Sequence, residues 1–362
     1  MLFTCPADVA RGGKRPPARG GRRHACVDVH CHVHYPPADE MVKGVYRRED
    51  EPNARFSSPL SRATNQKQMQ NVHRSLTSVE QRLADMDKMG VDVQAISVSP
   101  FQFMYSLDPE LGRKTARATN ENLAAIVQKH PARFVALANV PLQAPDAAAE
   151  ELEHCVRRLG FRGVEIGTNV AGQEVSRGRD AFWAKVQELD VMVFMHPNGF
   201  TGGERLADHY FINVIGNPLD TTVAVGYLVF DGVLERFPKL KIVVAHGGGY
   251  IAHYPARMDH VWNAREDGRT VLKSAPRRSL AKLYFDTIVF DRDQLRHLVT
   301  LWGADHVVVG TDYPYDMGWY DPRGFVEGCD FLKDTDKAKI LGFNAAKLLK
   351  LALPATKKRA KR

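Results

Sequence analysis

From residue 25 onward the chain alternates between short apolar, β-branched runs and longer stretches whose apolar positions recur every three or four residues. The short runs are Cys26–Val33, Val91–Val98, Phe134–Pro141, Phe161–Thr168, Met192–Pro197, Ile242–Gly248, Leu283–Ile288 and Val307–Pro314. Runs of this length and composition predict buried strands. The stretch Val79–Met89 puts Val79, Leu83 and Met86 on one face, with Thr77 or Ser78 placed to cap it, and so predicts a helix. Leu111–Lys129, Asp146–Leu159, Asp180–Leu189, Leu219–Phe237 and Asp291–Leu301 read the same way. Gly90, Gly160 and Gly303 each follow a helical pattern, where a left-handed C-cap is needed.

Eight strands alternating with helices predict a parallel α/β fold, and eight is the number that closes a (β/α)8 TIM barrel. A doubly wound open sheet is the competitor, but no G-x-G-x-x-G follows the first strand. Residues 34–77, rich in Pro, Ser, Asn, Arg and Gln, form a long insertion after strand 1, expected as an active-site cover or a disordered loop. Residues 198–216 form a shorter excursion after strand 5.

Charge changes this picture little. The 362-residue chain is formally +8 with a pI near 9.2, which invites a nucleic-acid or anionic-membrane reading. Yet residues 1–24 carry Arg11, Lys14, Arg15, Arg19, Arg22 and Arg23 against Asp8 alone, and 354–362 carry Lys357, Lys358, Arg359, Lys361 and Arg362 with no acid. The predicted barrel, 25–353, is slightly acidic between two basic tails, so nothing in it demands nucleic acid. No apolar run approaches a membrane span or a signal-peptide core. Five scattered cysteines without a C-x-x-C pair fit a reducing, cytoplasmic setting.

The chemistry sits at strand ends. His30 and His32 are alternate residues of strand 1, so both imidazoles face one way and can share a metal. His196 ends strand 5 and Asp312 follows strand 8; a third nitrogen and a carboxylate complete a set suited to zinc and tolerable for other divalent ions. His246, before Gly247-Gly248-Gly249, is the natural general acid or base. Asp28, expected on the same face as the pair, would be a partner for a ligating imidazole. Arg257 either binds a substrate carboxylate or is a solvated helix residue paired with Asp259 or Glu266.

Asp28-Val-His-Cys-His32, Phe194-Met-His196-Pro, Phe237-Pro-Lys-Leu-Lys-Ile-Val-Val-Ala-His246-Gly-Gly-Gly and Gly310-Thr-Asp312-Tyr-Pro together resemble the amidohydrolase superfamily. The likeness is closest to the branch typified by aminocarboxymuconate-semialdehyde decarboxylase; Pro141-Leu-Gln-Ala-Pro145 and Asn344-Ala-Ala-Lys-Leu-Leu are further landmarks. It runs from about residue 26 to 353. The resemblance implies a distorted TIM barrel with one divalent ion, zinc or alternatively manganese, on His30, His32, His196 and Asp312. It also implies His246 as the acid/base, a homodimer, and Arg257 reaching across its interface to a small anionic carboxylate. The activity implied is non-oxidative decarboxylation of an unsaturated or aromatic acid, with C–C or lactone hydrolysis, or hydration, as the alternative on the same scaffold. Two departures fall on the substrate side. The branch follows its strand-5 histidine with Pro-Trp-Asp, where this chain has Pro197-Asn198-Gly199, and Arg74 is only an approximate stand-in for a second substrate arginine.

Overall fold

The computed structural model describes residues 24–353. The basic segments assigned to 1–24 and 354–362 therefore lie, apart from His24, outside the described residues. Each of the eight predicted runs forms a strand. β1 comprises Val27–Asp28 and His32–Val33; then come β2 Val93–Val98, β3 Phe134–Ala138, β4 Gly163–Gly167, β5 Met192–His196, β6 Lys241–Val244, β7 Tyr284–Asp286 and β8 Val307–Val308. Every neighbouring pair is parallel, in chain order. Bridges from Asp28 to Val309 and from Cys31 to Tyr313 bring β8 back to β1 and close the barrel.

The barrel interior is filled by Val27, Val29, Val93, Ala95, Leu137, Met192, Phe194, Val243, Ala245 and Val308. Ala345, Leu348 and Leu349 of the terminal helix Asn344–Leu349 pack onto the same cluster and plug one end. Asn344 fastens that plug by donating to the carbonyls of Ala304 and Val307, both at 2.7 Å. Outside lies a larger apolar layer between strands and helices, to which Met86, Leu123, Leu152, Trp183, Leu228 and Leu298 contribute. This sandwiching explains the apolar strand sequences: a parallel strand buried on both faces has little use for polar residues.

The helices follow the periodicity closely. Val79–Met89 and Asp180–Leu189 have the predicted ends, and Ser78 caps the first by accepting from the Gln81 amide. The predicted Leu219–Phe237 is instead two helices, Asn217–Phe230 and Val233–Arg236, broken where Gly232 turns left-handed. Gly90 is a left-handed cap, whereas Gly303 (φ 85°, ψ 153°) leaves its helix in an extended form. The insertion corrects its loop reading: it is ordered and mostly helical, with Pro36–Met41, Pro52–Arg55 and the 19-residue Pro59–Thr77. The long helix buries only Ser61 and Leu76, so its sequence shows scant apolar periodicity.

Candidate active site

The C-terminal ends of β1, β5, β6, β7 and β8 converge. His32 Nε2 lies 3.1 Å and His30 Nε2 3.3 Å from the same oxygen of Asp312, and His246 Nε2 is 3.8 Å from the other. The ring of His196 is 4.8 Å from that of His30 and 4.9 Å from those of His32 and His246. Ligand atoms of His30, His196, His246 and Asp312 all fall within 4.8 Å of one another. His32 is outside that mutual set, yet its side chain is fully buried, whereas His246 retains 15% exposure. The four predicted ligands and the predicted acid/base are thus one cluster.

The cluster's hydrogen bonding suits a cation. His30 Nε2 and both ring nitrogens of His196 are buried without a hydrogen-bond partner. A buried polar atom left this way costs about 1–3 kcal/mol, which a bound ion would offset. Burial and the neighbouring His30, His32 and His246 hold the His196 imidazole neutral, well below its ordinary value. Burial also lowers His32. His30 behaves oppositely: burial disfavours its charge, but Asp312 and Asp286 outweigh that and push it up to about 10. In the absence of a cation, therefore, the two carboxylates recruit a proton to His30. Asp312 in turn is held well below the usual carboxylate range by His30 and its neighbours, against its burial.

Asp286 escaped the sequence reading. It ends β7, and its carboxylate accepts from His30 Nδ1 at 2.6 Å, from the Gly247 amide at 2.8 Å and from the Ile288 amide at 3.1 Å. These bonds fix the His30 tautomer and aim Nε2 at the cluster, the arrangement that raises ligand basicity in metal sites. The expected role of Asp28 is corrected accordingly. Strand 1 is irregular between its two pieces, so Val27 and Val29 face the interior with His30 and His32, while Asp28 points away. Asp28 accepts from the His30 and Thr311 amides, the Thr311 hydroxyl and Gln94, joining β1 to β2 and β8. Burial pushes its carboxyl up to about 6 despite those donors.

Glu165 was also missed. It lies inward on β4, fully buried, with neither carboxylate oxygen within hydrogen-bond geometry of a donor; the nearby Ser97 hydroxyl donates to the Cys31 carbonyl. Burial pushes it up to about 8. The available signal was one charged residue in the strand Gly-Val-Glu-Ile-Gly. Backbone strain marks the site as well: His246 and Asp312 both hold positive φ, 55° and 54°. The glycines after His246 answer to space. A Cβ on Gly247 would meet Val289 at 2.4 Å, and one on Gly248 would meet the Phe285 ring at 2.5 Å.

The predicted substrate residues are placed differently. Asn198 donates to Glu51 at 3.1 Å and accepts from Asn53 at 3.3 Å, so it ties the strand-5 excursion to the insertion. Arg74 is exposed on Pro59–Thr77 and is not brought to the cluster. Arg257 is exposed on the helix Ala256–Ala264. Its suggested partner Asp259 instead pairs with Arg277 at 3.0 Å.

A closed parallel barrel with imidazoles and a carboxylate gathered at its strand C-termini is the architecture of a metal-dependent barrel enzyme. The chain belongs to the amidohydrolase family, whose model matches residues 27–351. It is 32% identical over 272 residues to 2-amino-3-carboxymuconate-6-semialdehyde decarboxylase of Dictyostelium discoideum, covering 75% of this chain and 76% of that one. It is 28% identical over 315 residues to gamma-resorcylate decarboxylase of Rhizobium sp. (strain MTP-10005), covering 77% and 89%. Among solved structures it is similar to 5-carboxyvanillate decarboxylase from Novosphingobium aromaticivorans complexed with manganese and 4-hydroxy-3-methoxy-5-nitrobenzoic acid. That match has a TM-score of 0.79 at 23% identity and covers 92% of this chain and 98% of that one. Among the described residues no helix is long and apolar enough to cross a membrane.

Proposed function

We propose that this chain is a metal-dependent, non-oxidative decarboxylase of a small aromatic or unsaturated carboxylic acid. The observation that carries the reading is the set of unpartnered, buried nitrogens on His30 and His196 around Asp312, beside the more exposed His246. The activities of the two relatives set the reaction class. His30, His32, His196 and Asp312 would hold one divalent ion, zinc by the chemistry of the donors or manganese as in the structural neighbour. When bound, the ion would act as a Lewis acid toward the substrate's carboxylate and an adjacent oxygen. His246, the histidine of the cluster most open to solvent, would deliver the proton to the carbon that loses CO2. Asp312 would steady that imidazole from 3.8 Å as well as serving the ion.

In the same reading the protein is a cytoplasmic homodimer, a single barrel flanked by basic tails, with Arg257 of one chain near the interface. The exposed Tyr250 and Tyr254 beside Arg257 support an association surface there, and Cys31, Cys155 and Cys329, buried and unpaired, support a reducing compartment. Asn198 would bear on substrate through the wall it builds with Glu51 and Asn53. The test is CO2 release from the manganese- or zinc-loaded protein, on a panel including 2,6-dihydroxybenzoate and 5-carboxyvanillate. Stoichiometric CO2 with a product one carboxyl group shorter supports decarboxylation. Turnover of a lactone or C–C substrate without CO2 would establish the hydrolase alternative.

A further inference from the structure

Arg82 lies on the helix Val79–Met89, between the insertion and β2, and is only 3% exposed. Among the described residues no carboxylate comes within ion-pair distance of it. Asp85, one turn further on the same helix, accepts instead from the Tyr313 hydroxyl at 2.9 Å and from Gln81 and Lys88, each at 3.0 Å. Burying a guanidinium without a counter-charge is costly unless its donors are used. Those of Arg82 go to neutral oxygens: the His32 carbonyl, the Gln94 side chain at 3.1 Å and the Ser75 carbonyl at 3.5 Å. Its guanidinium carbon also sits 4.8 Å from the centre of the Tyr313 ring.

These contacts fall on the main chain of the candidate metal ligands. His32 is one of them, and Tyr313 follows Asp312, whose carboxylate lies 3.1 Å from the His32 ring. Asp312 holds a φ of 54°, a strained form that persists only where its surroundings over-determine it. From Gln94 the network continues: Gln94 donates to Asp28 at 2.9 Å, and Asp28 accepts from the amides of His30 and Thr311, each at 3.1 Å, and from the Thr311 hydroxyl at 2.7 Å. The residues on both sides of Asp312 are therefore held, Thr311 by Asp28 and Tyr313 by Arg82 and Asp85. The two branches meet at the Arg82 guanidinium.

We infer that Arg82 is a positioning residue for the metal centre: from the layer between barrel and helices it holds the His32 main chain and the Tyr313 ring together, and so sets where His32 and Asp312 meet a divalent ion. It touches neither ion nor substrate. This rests on the reading of His30, His32, His196 and Asp312 as ligands and deepens it. A guanidinium suits the task because its planar fork reaches several acceptors at fixed angles while its face covers a ring; an ammonium group has no such plane.

The experiment loads the full chain with cobalt(II), whose visible absorption reports the geometry of its ligands, and measures cobalt and manganese affinity by competition with a chelator. Arg82→Met should weaken both ions by about 10–100-fold and shift the cobalt bands. Arg82→Lys should keep part of the affinity, with the bands still displaced. Arg179→Met controls for the loss of a buried arginine as such. Arg179 is 4% exposed and donates to the carbonyls of Leu142, Glu174 and Arg177 at 3.2, 2.9 and 2.6 Å, none of them a candidate ligand. That variant should melt at a lower temperature yet keep wild-type bands and affinity. Where Arg82→Met does not fold, Arg82→Lys decides. Wild-type bands and affinity in the folded Arg82 variants would overturn the inference and leave the metal reading standing, and so would an equal loss in Arg179→Met. A wild type that binds neither ion would remove the metal reading, and the inference with it.

Discussion

Two residues that look alike in sequence carry separable duties. His32 and His246 are both histidines at strand ends near Asp312, but only His246 is open to substrate and solvent. His246→Ala should therefore keep metal stoichiometry by elemental analysis and lower kcat by about 10²–10⁴-fold. His32→Ala should lose the ion; an H32A protein that holds metal as the wild type does would reassign that ligand. Asp286 never touches substrate in this reading, yet it orients His30 through a 2.6 Å bond. Asp286→Asn should weaken metal binding by about 10–100-fold in a competition titration with a chelator. Wild-type affinity in D286N would show that the tautomer is fixed by other means. Strand-end histidines stand out in an apolar chain, whereas Asp286 and Glu165 gain meaning only from what lies across the barrel.

The elements that shape the mouth are the insertion and the strand-5 excursion, and they are built against each other. Gly199 has φ 84°, and a Cβ there would come within 2.6 Å of the Asn53 amide nitrogen. The Ser58 amide donates to the Ala207 carbonyl at 2.9 Å, and Gly203 leaves room for the Phe56 ring. Gly199→Ala should separate the two segments. We expect faster proteolysis within residues 47–58 and a KM raised about threefold to tenfold, with metal content unchanged. Unaltered cleavage in G199A would mean the cover is held by other contacts. The insertion, expected as an active-site cover or a disordered loop, did not read as helical for a physical reason: its long helix lies on the surface, buries little and lacks the apolar stripe on which periodicity depends.

At the scale of the whole molecule, the buried charges predict how pH and metal are linked. His30 is raised from 6.5 to about 10, so its contribution to stability is full below pH 6.5 and is lost as pH climbs through 10. Glu165 is raised from 4.5 to about 8, so folding disfavours its ionised form and stability falls across that window too. Asp286 and Asp312 are lowered, and their contribution is lost only as pH drops beneath 3.8. The metal-free chain should accordingly melt at progressively lower temperature from pH 5 to pH 9, and the manganese-loaded chain should decline less. Loading at pH 8 should release about one proton, from His30 Nε2, seen as a dependence of binding heat on buffer ionisation enthalpy. No proton release would mean that His30 is already neutral.

The barrel and the cluster are legible in the chain alone. Eight doubly buried strands must be apolar, so the few histidines and the aspartate at their ends are conspicuous, and parallel topology sends all those ends to one face. What surrounds them emerges on folding. Asp286 reaches His30 across 256 positions of chain, and strand 1 breaks so that Asp28 turns outward. Arg74, in the sequence a stand-in for a substrate arginine, remains exposed on an outer helix. Periodicity records which face of an element is buried; it carries no information about which distant side chain waits on the other side.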